Sequence, residues 1–253
     1  MCSLCLAWGF PVHRHINRSA AEALPPPLKG WLIEDVEWLS AHATDADMRK
    51  HTVVREAPRH YLDWDAPALV CLDTLGAAPW FGRAASACNE DTLWEYGVLP
   101  WQIGWTYGQL VAAFDSLDHT AILRHAADLG HYVADAHVPL HTTLNYNGQL
   151  TGQDGIHGVW ETRLPALYGG GYGLVVGSPE YVKDVNAWAW ETVARSHALV
   201  PQVLREERLA TDAHGEGLVR EARGGRVQLQ QDEKWCAAYH SGLDGMVETQ
   251  WRA

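Results

Sequence analysis

The chain has 253 residues, enough for one large domain or two small ones, and 47% of them are hydrophobic, so a substantial core can form. Its formal net charge is −12 and no Lys/Arg cluster marks a basic face, which argues against a duplex nucleic acid as partner. No apolar run approaches the roughly 20 residues of a transmembrane segment. Histidine (14) and tryptophan (13) are in excess; the tryptophans suggest a core built on large aromatics.

Met1 to Ala7 reads as a leader-like stub, apolar and ending on a small residue, but short of the roughly 15–30 residues of a signal peptide. Residues 8–253 then read as a single domain. The first helix is expected over Val12–Leu24, stopped by Pro25-Pro26-Pro27. A second is expected from Leu28 to about His42, with Trp31, Leu32, Val36 and Leu39 at helical spacing. Asp45–Asp65 is polar and irregular, with a short helix or turn before Pro58. Pro67–Asn89 reads as a loop containing a short helix, and Cys71 and Cys88 within it could pair if the protein is exported.

Pro100–Leu117 and Thr120–His137 both carry helical periodicity, and Pro139 ends the second. A loop over Thr142–Gln153 leads to a helix over Ile156–Leu167, terminated by three glycines. One long helix follows from Pro179 to Leu209, kinked or divided by Pro201. Ala210–Ala253 is expected to be helical, broken at Gly224-Gly225. Strand-like alternation is scarce, so the fold class is all-α. Trp101, Trp105, Trp188 and Trp190 are expected in the core.

Two segments place an imidazole and a carboxylate four residues apart, and therefore on one helix face: His131 with Asp135, and His157 with Glu161. His141 follows Pro139. His60 has Asp63 and Asp65 close behind it, Asp45 and Asp47 lie upstream, and His13 lies near the start. A lone His/carboxylate pair is ordinary on a helix surface. Several segments each offering such a set is the pattern of a metal centre in a helical bundle, and the donor types suit zinc. The remaining histidines lack such partners and read as surface or hydrogen-bonded residues. Asn145 and Asn147 read as turn residues.

These segments, Trp8–Arg18 (WGFPVHRHINR), His60–Asp63 (HYLD), Gly130–His141 (GHYVADAHVPLH) and His157–Glu161 (HGVWE), occur in the order found in a known superfamily. The chain resembles the proteins that join bacterial zinc-dependent phospholipase C with single-strand-specific nucleases. The resemblance runs from Trp8 to about Leu167, with weaker support over Trp188–Glu207. It implies a compact α-helical domain holding up to three zinc ions. One ion would take Asp47, His60, His131 and Asp135; a second His141, His157 and Glu161; a third His13, Asp135 as a bridging carboxylate, and the backbone amine and carbonyl of Trp8. Asp45 and Asp47 both fit the acidic position, and Asp47 is preferred because Met-Arg-Lys follows it.

A free amine on Trp8 would require removal of Met1–Ala7. The implied activity is hydrolysis of a phosphodiester by a zinc-activated water, with Asp63, or whichever of Asp45 and Asp47 is not a ligand, orienting the nucleophile or contacting substrate. Glu161 resembles the phospholipases, whereas the nucleases usually carry Asp there. The expectation is therefore a secreted or periplasmic, monomeric, phospholipase C-like enzyme. A nuclease and a non-catalytic zinc-stabilised binding protein are the alternatives.

Overall fold

The computed structural model describes residues 9–175, 177–215, 218–223 and 226–253. Helix α1 (Phe10–Ala23) opens the chain, with Pro11 in its first turn, where a missing N–H costs nothing. Pro25 to Pro27 does more than stop it. Pro26 opens α2 (Pro26–Leu32), two residues earlier than the apolar spacing suggests, and a 3-10 turn over Ile33–Asp35 separates α2 from α3 (Val36–Ala41). Helix α4 (Asp45–Arg49) and a 3-10 turn over Ala57–His60 follow. The span expected to be loop is more ordered than its small residues imply. It holds a 3-10 helix (Pro67–Thr74) and α5 (Phe81–Cys88), with Cys71 and Cys88 joined as a disulfide, and α6 (Glu90–Tyr96) follows it.

Helices α7 (Leu99–Asp115) and α8 (His119–Ala136) form an antiparallel pair. Asp118 caps α8 by accepting from the Ala121 N–H, and the 3-10 turn Pro139–Thr142 follows the helix. Gly155, with φ +99°, leads into α9 (Ile156–Gly158), a π turn (Val159–Arg163) and α10 (Leu164–Tyr168). The long helix is α11 (Val185–His214), 30 residues with Pro201 inside it. It starts later than expected because Asp184 caps it on the Ala187 N–H. Helices α12 (Glu233–Gly242) and α13 (Met246–Arg252) close the fold.

The architecture is all-α, as expected, with one departure. Strands β1 (Leu218–Arg223) and β2 (Arg226–Gln231) form an antiparallel hairpin, pairing Leu218 with Gln231 and Arg223 with Arg226, where helix was expected. No helix among the described residues is long and apolar enough to cross a membrane.

Helix α8 is shared by all three apolar clusters. Ala134 enters one built on Trp160, Trp235 and Tyr239. Tyr132 and Ala136 enter a second with Leu62, Trp101 and Trp190. Ile122, Leu123 and Ala127 enter a third with Leu32 and Leu39. Trp101 and Trp190 are core residues as expected, and Trp188 is half-buried. Trp105 is exposed instead, packing its ring against Phe81 and Trp94.

Candidate metal centre

The middle of α8 carries the site. Gly130 lets α1 approach it, since a Cβ there would lie 2.1 Å from Asn17 Oδ1. Asn17 in turn donates to the carbonyls of Leu39 and Ala127, locking α1 to α3 and α8. One turn earlier on α1, His13 then stacks on His131, ring centroids 4.0 Å apart. The chain after α4 approaches from another side. Leu62 N–H donates to the His141 carbonyl, Trp64 N–H to the Thr142 carbonyl, and His141 Nδ1 to the His60 carbonyl, so the segments carrying His60 and His141 run fastened together.

The π turn is fixed by a proline. Pro165 has no N–H to give the Glu161 carbonyl four residues back. That carbonyl takes the Gly9 N–H instead, at 3.1 Å, tying the start of α1 beside Glu161. Across the turn His157 Nε2 comes within 2.8 Å of Glu161 Oε2, and His141 Nε2 within 3.1 Å of Oε1.

Asp135 faces two ways. Its Oδ2 lies 2.8 Å from His60 Nδ1 and 3.3 Å from His131 Nε2, while Oδ1 lies 3.5 Å from His13 Nε2. Asp47 Oδ1 is 3.6 Å from His131 Nε2 and 3.7 Å from His60 Nδ1. Asp45 is turned outward onto His42, at 2.7 Å. The structure thus gathers His13, Asp47, His60, His131 and Asp135 in one cluster, with His141, His157 and Glu161 adjoining it. Within it, three groups have ligand atoms close enough to share an ion: His13/His131/Asp135, Asp47/His60/His131 and His141/His157/Glu161. Trp8 lies outside the described residues.

The donor set fits zinc on several counts. All eight side chains are buried. Both nitrogens of His13, Oδ2 of Asp47, both oxygens of Glu161, Oδ1 of Asp135, and Nε2 of His141 and His157 make no hydrogen bond, a loss that buried polar atoms ordinarily avoid. In a tetrahedral site with bonds of about 2.0–2.1 Å, neighbouring ligand atoms stand about 3.3 Å apart, within the span observed here. Three of the imidazoles also have their outer nitrogen occupied. His131 Nδ1 donates to the Ala43 carbonyl, His141 Nδ1 to that of His60 and His157 Nδ1 to that of Tyr146. A carbonyl can only accept, so each ring turns the lone pair of Nε2 inward.

Charge completes the fit. Asp47, Asp135 and Glu161 are three buried carboxylates, and among the described residues only Lys50, 2.6 Å from Asp47 Oδ1, brings a Lys or Arg cation to any of them. Burial by itself would raise Asp135, but the charges of His131 and His141 and hydrogen bonds from His131 and His60 hold it well below the carboxylate range. Asp47 is brought to about 2 against burial by His131 and Lys50. Burial pushes His13 far down, and the charge of His131 adds to this. Asp135 and Asp47 are thus held ionised and His13 neutral, while against burial the carboxylates raise His131 and bring His141 to about 9, so a metal would displace protons from these two rings.

Asp63 is buried but stands apart from the three groups. Burial first, then the charge of Asp65, raises its carboxyl to about 7. Asp65 holds the loop after His141, accepting from Thr143 Oγ1 and the Leu144 N–H. Asn145 and Asn147 serve the loop itself, their side chains bonded to Leu150, Thr151 and Gly155. His137 is buried on a different side of α8, against Trp188.

Two features of the centre were not visible in the sequence. One is Lys50 on Asp47. The other is Glu56, almost fully buried beside His60 and bonded to Tyr132. Glu56 and His60 repeat the four-residue spacing of the other pairs, but Pro58 between them argues against helix. The spacing is brought together by a 3-10 turn instead. No protein-family model matches this chain, and a search of curated proteins finds no match either.

Proposed function

We propose that the chain is a zinc-dependent phosphodiester hydrolase of the zinc phospholipase C/nuclease type, acting as a phospholipase C. The observation that carries this reading is the convergence of His13, Asp47, His60, His131, Asp135, His141, His157 and Glu161 on one buried centre. Many of their ligand atoms make no hydrogen bond, and the four motifs that supply all of them but Asp47 follow the order of that superfamily.

Bound zinc lowers the pKa of a coordinated water toward about 7 and neutralises phosphate oxygens. The chain's own groups do the rest. Asp135, with an oxygen toward each neighbouring group, joins the sites. Lys50 adds a cation beside Asp47 that favours an anionic substrate. Asp63, with its carboxyl near 7, can accept or return a proton close to neutral pH. Glu161 is the feature that favours a phospholipid over a nucleic acid, and the net charge of −12 suits a small headgroup better than a long polyanion. The disulfide Cys71–Cys88 supports an oxidising, exported setting.

The deciding experiment measures zinc content and turnover of short-chain phosphatidylcholine and single-stranded DNA, with and without chelator. It uses the whole chain and protein beginning at Trp8. Two to three zinc ions per chain with chelator-sensitive lipid cleavage is the expected result. DNA cleavage alone would transfer the assignment to the nucleases. Bound zinc with neither activity would favour a binding role, and absence of stoichiometric zinc would defeat the reading.

A further inference from the structure

His60 is oriented oppositely to three other imidazoles of the centre. His131, His141 and His157 give Nδ1 to a backbone carbonyl and turn Nε2 inward. His60 is reversed. Its Nδ1 faces inward, 2.8 Å from Asp135 Oδ2 and 3.0 Å from His131 Nε2, and its Nε2 points away toward Glu56 Oε1 at 3.7 Å. No backbone carbonyl takes that outer nitrogen, which makes no hydrogen bond to any other group.

Glu56 is held as though for this task. Tyr132 OH donates to its Oε1 at 2.5 Å, and Arg49 Nη2 lies 3.4 Å from the same oxygen. Arg59 Nη1 lies 3.3 Å from Oε2. Arg49 is itself anchored on Asp128 at 3.0 Å. Tyr132 is the residue next to His131, so the clamp on Glu56 and one of the candidate ligands are carried by adjacent residues of α8. The turn over Ala57–His60, in which Arg59 N–H donates to the Glu56 carbonyl, brings Glu56 and His60 to the same side.

We propose that Glu56 is a positioning residue of the metal centre: it takes the Nε2–H of His60, fixes the tautomer that presents Nδ1, and thereby sets zinc affinity at the Asp47/His60/His131 group. This rests on the zinc reading above. A carboxylate behind a ligating imidazole orients the ring and raises its basicity, and losing such a partner typically weakens metal binding about 10- to 100-fold.

The test is zinc binding by Glu56→Gln and wild type against a competing chromophoric chelator, with imidazole 15N spectra of the zinc-loaded proteins. One ion is expected to bind about 10- to 100-fold more weakly in the variant while the others are unchanged. In wild type, one zinc-bound imidazole is expected to coordinate through Nδ1 and carry its proton on Nε2, and that signal alone should move in the variant. Tyr132→Phe leaves the carboxylate but frees it, and should weaken the same ion by a smaller factor. The wild-type spectra and this second variant decide the matter if Glu56→Gln does not fold. Zinc affinities within twofold of wild type, or every imidazole bound through Nε2, would overturn the role of Glu56 and leave the zinc reading intact. A wild-type protein that takes up no zinc defeats the zinc reading itself.

Discussion

The ammonium of Lys50 lies 2.6 Å from Oδ1 of Asp47, one helical turn along from a carboxylate that faces the centre of the cluster. Lys50 is also partly exposed, so it can meet an anion arriving from solvent. Replacing it with Met should lower kcat/KM for a phosphodiester about 10- to 100-fold, the worth of one charge-assisted hydrogen bond. Zinc content should be unchanged. Unaltered kinetics would place Lys50 outside the reaction and leave it a structural partner of Asp47.

Asp63 gives a pH dependence with a definite sign. Its carboxyl is raised from about 3.8 to about 7 in the folded chain. The folded state therefore holds the proton more tightly than the unfolded one, and its stability falls as pH rises from about 4 to 7. Each unit of displacement corresponds to about 1.4 kcal/mol. In metal-free protein, Asp63→Asn should flatten the decline of Tm over that interval and leave the variant the more stable form above pH 7. With zinc bound, the same substitution should lower kcat. A Tm profile identical to wild type would show that Asp63 titrates normally.

Gly130 allows α1 and α8 to close. Gly130→Ala would set a methyl 2.1 Å from Asn17 Oδ1, and the helices must separate or Asn17 must give up its bonds to Leu39 and Ala127. A cost of about 1–3 kcal/mol is expected from urea unfolding. The accompanying loss should be of the ion bound by His13, because the His13–His131 stack depends on that approach. A variant as stable as wild type, with full zinc content, would contradict this.

The disulfide between Cys71 and Cys88 joins the 3-10 helix of Pro67–Thr74 to the end of α5. Its 17-residue separation predicts a contribution of about 3 kcal/mol. Replacing both cysteines with serine should lower the urea midpoint accordingly. Zinc content should survive, since neither sulfur lies in the three candidate groups.

What could be read in the sequence follows from how local the signal is. His131 with Asp135, and His157 with Glu161, are set by spacing alone, because four residues on a helix already define a face. Met-Arg-Lys after Asp47 favours it over Asp45, and the fold supplies the physical reason: α4 is short, and a rotation of two residues sends Asp45 to His42 and Asp47 to the cluster. Glu56 escaped notice because Pro58 masks its relation to His60. The hairpin of β1 and β2 stands where helix is expected, although Val227 and Leu229 alternate with polar residues and two glycines separate the runs, a combination that signals strands. The start of α11 was set by the Asp184 cap, and Pro179 pulled the expected boundary six residues too early.

The bond from His141 Nδ1 to the carbonyl of His60 has a consequence for assembly. His60 serves one group of ligands through its ring, and through its backbone it holds the ring of a second group. Ordering the first therefore prepares the second, so ions should load with positive cooperativity. The link runs through the His60 backbone, so displacing that segment, and not loosening the His60 ring, should cost affinity at the candidate group of His141.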